Sequence, residues 1–292
     1  MKCYIVHAFS DTAFGGNPAG VIVIEPEGNF PPEEIMMKIA AELRYSETAF
    51  VKQIGSNVFH TRYFTPKAEV ELCGHATIAT FHVLSETGLI AQTGRYVNRT
   101  LAGNLHVELQ NGAIFMEMAS PVSLGIIERT DHLKRLYAVM GLTEENWTPD
   151  QIYLPEIIST GLPDIILPVK DQATLEAIRP DFAGLAELSS EMEVVGVHAF
   201  ALAADDGMIH CRNFAPLYGI DEEAATGTAN GALTYYLYRH QLLAVESEAV
   251  FIQGEAMKRP SQIISRLKLT DKQLSIVVGG NAVIFASGTI HI

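Results

Sequence analysis

His60-Thr61-Arg62-Tyr63-Phe64-Thr65-Pro66 returns 150 positions later as His210-Cys211-Arg212-Asn213-Phe214-Ala215-Pro216. The same shift carries Ala49-Phe50 onto Ala199-Phe200 and Glu47 onto Val197. A shift of 153 carries Cys73-Gly74-His75-Ala76-Thr77-Ile78-Ala79 onto Thr226-Gly227-Thr228-Ala229-Asn230-Gly231-Ala232. Each copy reads as a strand, a turn and a glycine-led helix. A third echo pairs Leu105-His106-Val107-Glu108-Leu109 with Leu274-Ser275-Ile276-Val277-Val278, each ahead of a glycine turn and a second apolar run. Two copies are too few for a solenoid and predict two similar domains. The expected boundaries are 1–120 and 121–292, with the second half opening near Ser120-Pro121 and the C-terminal strand a candidate to cross to the first domain.

Composition agrees with that division. With 292 residues, 48% of them hydrophobic and 18% charged, the chain has enough apolar material for two cores of ordinary size. A formal charge of −14 argues against nucleic acid or an anionic membrane as partner, because phosphate would be repelled. Cysteines stand at positions 3, 73 and 211, an odd number without paired spacing, which suits a reducing cytoplasm better than a disulfide framework. The first nine residues are too mixed for a signal peptide, and no apolar stretch is long enough for a bilayer span.

Periodicity and turn residues place the elements. Strands are expected over 2–9 and 19–25, around the turn Gly15-Gly16-Asn17-Pro18, and over 47–54 and 57–64. Pro32 opens a helix whose Ile35, Ile39 and Leu43 share one face, and a helix over 75–87 stops at Gly88. Asn111-Gly112 between alternating apolar segments is a hairpin signal. In the second half, helices are expected near 131–140, 172–178 and 228–240. Strands are expected near 152–158, 164–169, 193–203, 208–214, 249–253, 262–269, 273–278 and 281–287. Many strands and few helices per half predict an α+β domain in which mostly antiparallel sheet wraps a central helix. A run as apolar as Ile78-Ala79-Thr80-Phe81-His82-Val83-Leu84 belongs in that centre.

The glycine-led helix starts are the chemical candidates. Gly74-His75-Ala76-Thr77 and Gly227-Thr228-Ala229-Asn230 begin helices after loops, where backbone N–H groups lack intrahelical partners and attract anions. If a pseudo-two-fold relates the halves, the two starts would face one another across a cleft suited to a small carboxylate. The plainer alternative is that these glycines serve tight turns only. Glu47 is an acid at a strand start; such a residue is usually just solvated, yet Val197 shows that only one copy keeps it.

Phe14-Gly15-Gly16-Asn17-Pro18-Ala19-Gly20-Val21, Ser46-Glu47-Thr48-Ala49-Phe50-Val51, Arg62-Tyr63-Phe64-Thr65-Pro66, Cys73-Gly74-His75-Ala76-Thr77 and Glu222-Glu223-Ala224-Ala225-Thr226-Gly227-Thr228-Ala229 occur in that order. Together they resemble the PhzF-like isomerases of phenazine biosynthesis, which belong to the diaminopimelate-epimerase fold, and the resemblance covers essentially the whole chain. It implies two pseudo-symmetric epimerase-like domains, each a barrel-like sheet around a central helix, with a cofactor-independent site in the cleft and a homodimeric assembly. It also implies that Glu47 moves a proton between carbons of the substrate, with His75 beside it. Cys73, Gly74, His75, Glu223, Gly227 and Thr228 are then the expected substrate contacts. The family carries Glu-Asp-Pro ahead of the second glycine where this chain reads Glu222-Glu223-Ala224, so Glu223 keeps the charge with one more methylene and without the rigid proline. True epimerases of the fold use two cysteines. Here Thr226 stands opposite Cys73, and a threonine hydroxyl is too weak an acid for a symmetric cysteine mechanism.

The expected function is therefore a cofactor-independent isomerase of a small carboxylate with Glu47 as the single general acid/base. The alternatives are a racemase with Glu47 and Cys73 or His75 as opposed bases, and a non-catalytic small-molecule-binding homologue. No metal is expected, since Cys73-x-His75 and His210-Cys211 offer neither the ligand count nor the spacing of a zinc site. Gly227-x-x-x-Gly231 is not a dinucleotide pattern.

Overall fold

A computed structural model describes residues 1–146, 153–201, 207–270 and 273–292. Residue 152 of one expected strand and residues 202–203 of another lie outside the described residues. The chain divides into two compact units, unit 1 comprising Met1–Glu117 with Gly279–Ile292 and unit 2 comprising Met118–Val278.

In unit 1, β1 (Lys2–Ala8) lies between β2 (Asn17–Ile24) and β18 (Ala282–Thr289), antiparallel to both. Helix α1 (Glu33–Leu43) carries the chain to β3 (Thr48–Gly55), parallel to β2. Then β4 (Val58–Phe64) pairs with β3 and with the short β5 (Glu69–Val70), and β6 (Gly94–Thr100) returns parallel to β4. β7 (Gly103–Gln110) and β8 (Ala113–Glu117) complete the ladder. They are joined by Asn111 and Gly112, whose φ angles of 53° and 90° are the left-handed pair of a tight hairpin. The central helix α2 (Gly74–Glu86) touches β1, β2, β3, β8 and β18. Ten of the eleven residues from His75 to Ser85 are buried, His82 being the exception, so no face is left for solvent. Gly88, with φ 73°, follows its end as expected.

Unit 2 repeats the ladder. β9 (Val122–Ile126) and β10 (Glu156–Ser159) are antiparallel, β10 and β11 (Pro163–Val169) antiparallel, and β11 and β12 (Gly196–Ala201) parallel. β13 (Ile209–Ala215) pairs antiparallel with β12 and β14 (Ile220–Glu223) and parallel with β15 (Ser247–Gln253), which pairs with β16 (Ser261–Thr270); β17 (Gln273–Gly280) follows. The central helix α6 (Gly227–Arg239) touches β10, β11, β12 and β16. Helices α3 (Thr130–Val139), α4 (Gln172–Ala177) and α5 (Phe182–Glu191) cover the other face of β11 and β12 through Leu136, Leu185, Ile165 and Val197. The sequence reading missed α5. Its evidence was Asp181, which caps the helix by accepting from the Gly184 N–H, and the apolar spacing Phe182, Leu185, Leu188.

The repeated H-x-R-x-F-x-P now has a physical reason. Along a strand, residues two apart share a face, and Arg62 lies 5.1 Å over the Phe64 ring as Arg212 lies 4.9 Å over Phe214. Each guanidinium forks onto a carboxylate of the next short strand. Arg62 Nε donates to Glu69 at 2.7 Å, and Arg212 Nε and Nη2 both reach Glu222 at 2.8 Å. Arg212 Nη1 also donates to the carbonyls of Leu175 and Ile178. It thereby ties β13 to the crossover segment.

The strand ladders also correct the alignment of the two halves. Thr48 stands opposite Phe64 and Val197 opposite Phe214, so Val197 matches Thr48, not Glu47. Ala49-Phe50 likewise matches His198-Ala199. The position equivalent to Glu47 is Gly196, where a Cβ would lie 1.9 Å from the Phe214 carbonyl oxygen. Unit 2 therefore has no room for any side chain there.

Two stability predictions follow from buried charge. Breaking the buried fork with Arg212→Ala should cost about 3–5 kcal/mol, whereas Arg135→Ala, on a surface pair with Glu191, should cost under about 1 kcal/mol. Equal losses in chemical denaturation would refute this ranking. Asp164 on β11 is 2% exposed, and its Oδ1 makes no hydrogen bond among the described residues. Burial raises its pKa to about 7. The folded state thus holds a proton that the unfolded carboxyl, with a pKa of about 3.9, releases. Its contribution is intact below about pH 4 and is lost as pH rises to about 7. Asp164→Asn should flatten this part of the stability–pH curve, by a few kcal/mol at about 1.4 kcal/mol per unit of pKa. An unchanged slope between pH 4 and 8 would disprove it.

Candidate active site

Glu47, Cys73 and His75 come from separate stretches of unit 1 and converge. Glu47 stands one residue before β3, Cys73 immediately precedes α2, and His75 is the second residue of that helix. Their carboxylate oxygen, thiol sulfur and ring nitrogen all lie within 4.8 Å of one another. His75 Nε2 is 3.3 Å from Glu47 Oε2 and 3.8 Å from Cys73 Sγ, and His75 Nδ1 is 3.4 Å from the same sulfur. The Glu47 Oε2 contact has ion-pair distance without hydrogen-bond geometry. That oxygen is buried with its accepting capacity unspent among the described residues. Burying an acceptor in this way costs about 1–3 kcal/mol, a strain that a functional role would explain.

The His75 ring is held from two sides. Asn17 Nδ2 lies 3.2 Å from Nδ1, and Ser46 Oγ lies 3.3 Å from Nε2. Donation by the Asn17 amide into Nδ1 puts the ring proton on Nε2, facing Glu47. Asn17 is brought there by Gly16, whose φ is 67° and whose missing Cβ would lie 2.2 Å from the Ala8 carbonyl oxygen. Burial pushes the His75 pKa below its ordinary value, while the Glu47 charge pulls it upward. The ring is therefore neutral at neutral pH. Asn17 and Ser46 stand within the family-like motifs without a role of their own in the sequence. The available signal for Asn17 was a polar residue directly after the Gly15-Gly16 turn, entering a strand otherwise made of small and apolar side chains.

Both central helices begin without a side-chain cap. Cys73 makes none, and the first ladder bond of α2 runs from the Thr77 N–H to the Cys73 carbonyl at 3.0 Å. The Gly74 and Ala76 N–H groups thus lie ahead of the helix's own ladder. Thr226, a residue type suited to capping, instead donates its hydroxyl to Asn213 Oδ1 at 3.2 Å, and α6 starts its ladder at Asn230. Beneath the helix starts the duplicated positions build different polar networks. In unit 1, Thr61 donates to Asn98, Asn98 to the Tyr63 hydroxyl, and that hydroxyl meets Thr77 at 2.6 Å. In unit 2, Asn230 donates to Gln253 and to the Thr226 carbonyl, and Asn213 and Asn230 flank the buried His198.

Of the residues proposed from sequence, Glu47, Cys73, Gly74 and His75 gather at the start of α2. Gly227 and Thr228 open α6 in unit 2, and Thr228 accepts from Thr160 Oγ1 at 2.9 Å. Glu223 ends β14, its carbonyl accepting from Gln253 Nε2 at 2.7 Å. Its neighbour Glu222 is committed to Arg212, so the two adjacent acids are divided between a structural fork and the loop that leads to α6.

A family model described as phenazine biosynthesis-like protein matches residues 6–288. The chain belongs to that family. Among its relatives, an uncharacterized isomerase of Clostridium acetobutylicum is 32% identical, over 96% of this chain and 95% of its own length. The trans-2,3-dihydro-3-hydroxyanthranilate isomerase of Pseudomonas fluorescens is 31% identical, over 98% of both chains. A crystal structure of a Bacillus anthracis phenazine biosynthesis protein of the PhzF family superposes with a TM-score of 0.88 at 26% identity, covering 100% of this chain and 99% of that one. The α+β architecture and the isomerase class expected from the sequence both stand. Among the described residues no helix is long and apolar enough to cross a membrane.

The His75 electrostatics are testable by NMR. The ring should titrate below the ordinary histidine value of about 6.5, and Glu47→Gln should lower that midpoint further by removing the carboxylate's pull. A midpoint that rises or stays fixed in the variant would contradict this coupling.

Proposed function

We propose that this chain is a cofactor-independent isomerase that moves a proton between two carbons of a small carboxylate, with Glu47 as the single general acid/base. The observation that carries the reading is the buried, hydrogen-bond-deficient Glu47 Oε2 beside an uncapped helix start. Carbon acids are weak, so the base needs an electron sink. Backbone N–H groups at the start of α2 would hold the substrate carboxylate and stabilise the negative charge that develops when the proton leaves. Glu47 takes the proton from one carbon and, now neutral, returns it to another carbon on the same face of the delocalised anion. Neutral His75, with Nε2 3.3 Å from Glu47 Oε2, stands close enough to hydrogen-bond the carboxyl group after a small turn of either side chain. The Pseudomonas fluorescens relative, whose name specifies an anthranilate, supports a carboxylate as the substrate class.

The racemase alternative fits this geometry poorly. Opposed bases must each approach the reacting carbon from opposite sides at about 3–3.5 Å, placing them about 6–7 Å apart. Glu47, Cys73 and His75 offer atoms within 4.8 Å of one another. One-base chemistry needs no such separation.

Glu47→Gln should lower turnover by about 10²–10⁴-fold or more while the fold is kept. With a substrate deuterated at the donor carbon, label should reappear at the acceptor carbon of the product. Full turnover in the variant would favour a non-catalytic role for Glu47. Label lost from, and solvent hydrogen gained at, a single inverted carbon would favour a racemase.

A further inference from the structure

We propose that His198 is a positioning residue for the start of α6, closing a one-way circuit of hydrogen bonds that fixes the segment carrying Glu223, Gly227 and Thr228. His198 Nε2 faces Asn230 Oδ1 at 3.3 Å, and an amide oxygen only accepts, so the imidazole proton sits on Nε2. Nδ1 is then an acceptor and takes the Asn213 Nδ2 amide at 3.3 Å. Asn213 Oδ1 accepts from the Thr226 hydroxyl at 3.2 Å, Thr226 Oγ1 accepts from Gln253 Nε2 at 3.2 Å, and Gln253 Oε1 accepts from Asn230 Nδ2 at 2.9 Å. Each of the five side chains gives one hydrogen bond to its neighbour and takes one from the other side, and the circuit closes.

Backbone groups lock the sense in which the circuit runs. It could run the other way only if all three amides turned over and the imidazole proton moved to Nδ1. Three bonds outside the circuit forbid this. Gln253 Nε2 donates to the Glu223 carbonyl at 2.7 Å, Gln253 Oε1 accepts from the Thr226 N–H at 3.2 Å, and Asn230 Nδ2 donates to the Thr226 carbonyl at 2.9 Å. Reversal would set oxygen against oxygen, or donor against donor, at each of them. Thr226 is thereby held by its N–H, its carbonyl and its hydroxyl, one residue ahead of Gly227. His198, Asn213, Asn230 and Gln253 are at most 2% exposed, so water does not compete for these bonds. Burial pushes the His198 pKa down to about 4, which leaves a single imidazole N–H to place at neutral pH. Unit 1 has an open chain at the same level. Thr61, Asn98, Tyr63 and Thr77 pass hydrogen bonds along to the Cys73 carbonyl, while the Cys73 thiol lies against His75. That Glu223, Gly227 and Thr228 meet the substrate rests on the isomerase reading; the circuit stands on geometry.

Nitrogen-15 NMR of the full-length chain at neutral pH reads the imidazole directly. The wild type should show His198 as the neutral Nε2–H tautomer, and an Nδ1–H tautomer overturns the proposal without recourse to any variant. Thr226 and His198 share no hydrogen bond among the described residues, so a histidine held only by its neighbours would ignore changes at Thr226. Thr226→Val removes the hydroxyl at nearly constant shape and should shift both His198 nitrogen signals, whereas Thr226→Ser, which keeps the hydroxyl, should leave them where they are in the wild type. Signals that are the same in all three chains refute the circuit. Hydrogen exchange tests the other direction. His198→Phe should speed exchange at the Thr226 N–H by about tenfold or more while the amides of α5 keep their rates. Uniform acceleration, or none, overturns the positioning role. Neither readout involves turnover, so an active Glu47→Gln enzyme would sink the isomerase reading and leave the circuit to be judged separately.

Discussion

A helix enclosed by its own sheet must settle its first backbone N–H groups inside the protein, and this constraint organises each unit. Helices α4 and α5 meet the problem with side chains, Asp171 and Asp181, whereas α1 and α3 have no side-chain cap and begin at exposed residues. Helices α2 and α6 do neither. Cys73 cannot cap well, and Thr226 turns its hydroxyl toward Asn213. The sheet supplies rigidity instead, through the buried networks around Tyr63 and Asn230 and the arginine forks on β4 and β13. Those networks hold the helix starts in place from within the sheet.

The arrangement at α2 is asymmetric in composition. Asn17 and Ser46 fix the imidazole, the imidazole lies against the carboxylate, and the sulfur stands beside the ring. Burial lowers the His75 pKa, so the ring is neutral at neutral pH.

Much of this was legible in the sequence, for identifiable reasons. Local signals with short reach were dependable: Asn111-Gly112 made the hairpin, Gly88 ended α2, and the apolar run after His75 made a central helix. The repeat gave the architecture because strand, turn and helix recur with the same spacing. What failed were features decided by pairing across strands. The halves slip by one residue between β3 and β12, and a count along the chain cannot see a slip that only the ladder fixes. Helix α5 was hidden by Ala183-Gly184 in its first turn, and His75 was placed beside Glu47 by the family resemblance and not by spacing, because that contact depends on β3 running beside α2. Asn17 looked like turn material because its partner lies far along the chain.

The glycine at position 196 gives the duplication a direction. A carboxylate can be lost from a strand end by one substitution, but at this place the neighbouring strand has closed to within a carbonyl's width, and Phe214 now occupies the space a side chain would need. Reinstating a symmetric pair of acids would require β12 and β13 to part, not merely a codon to change. The route back to equivalent halves is therefore shut by the backbone itself.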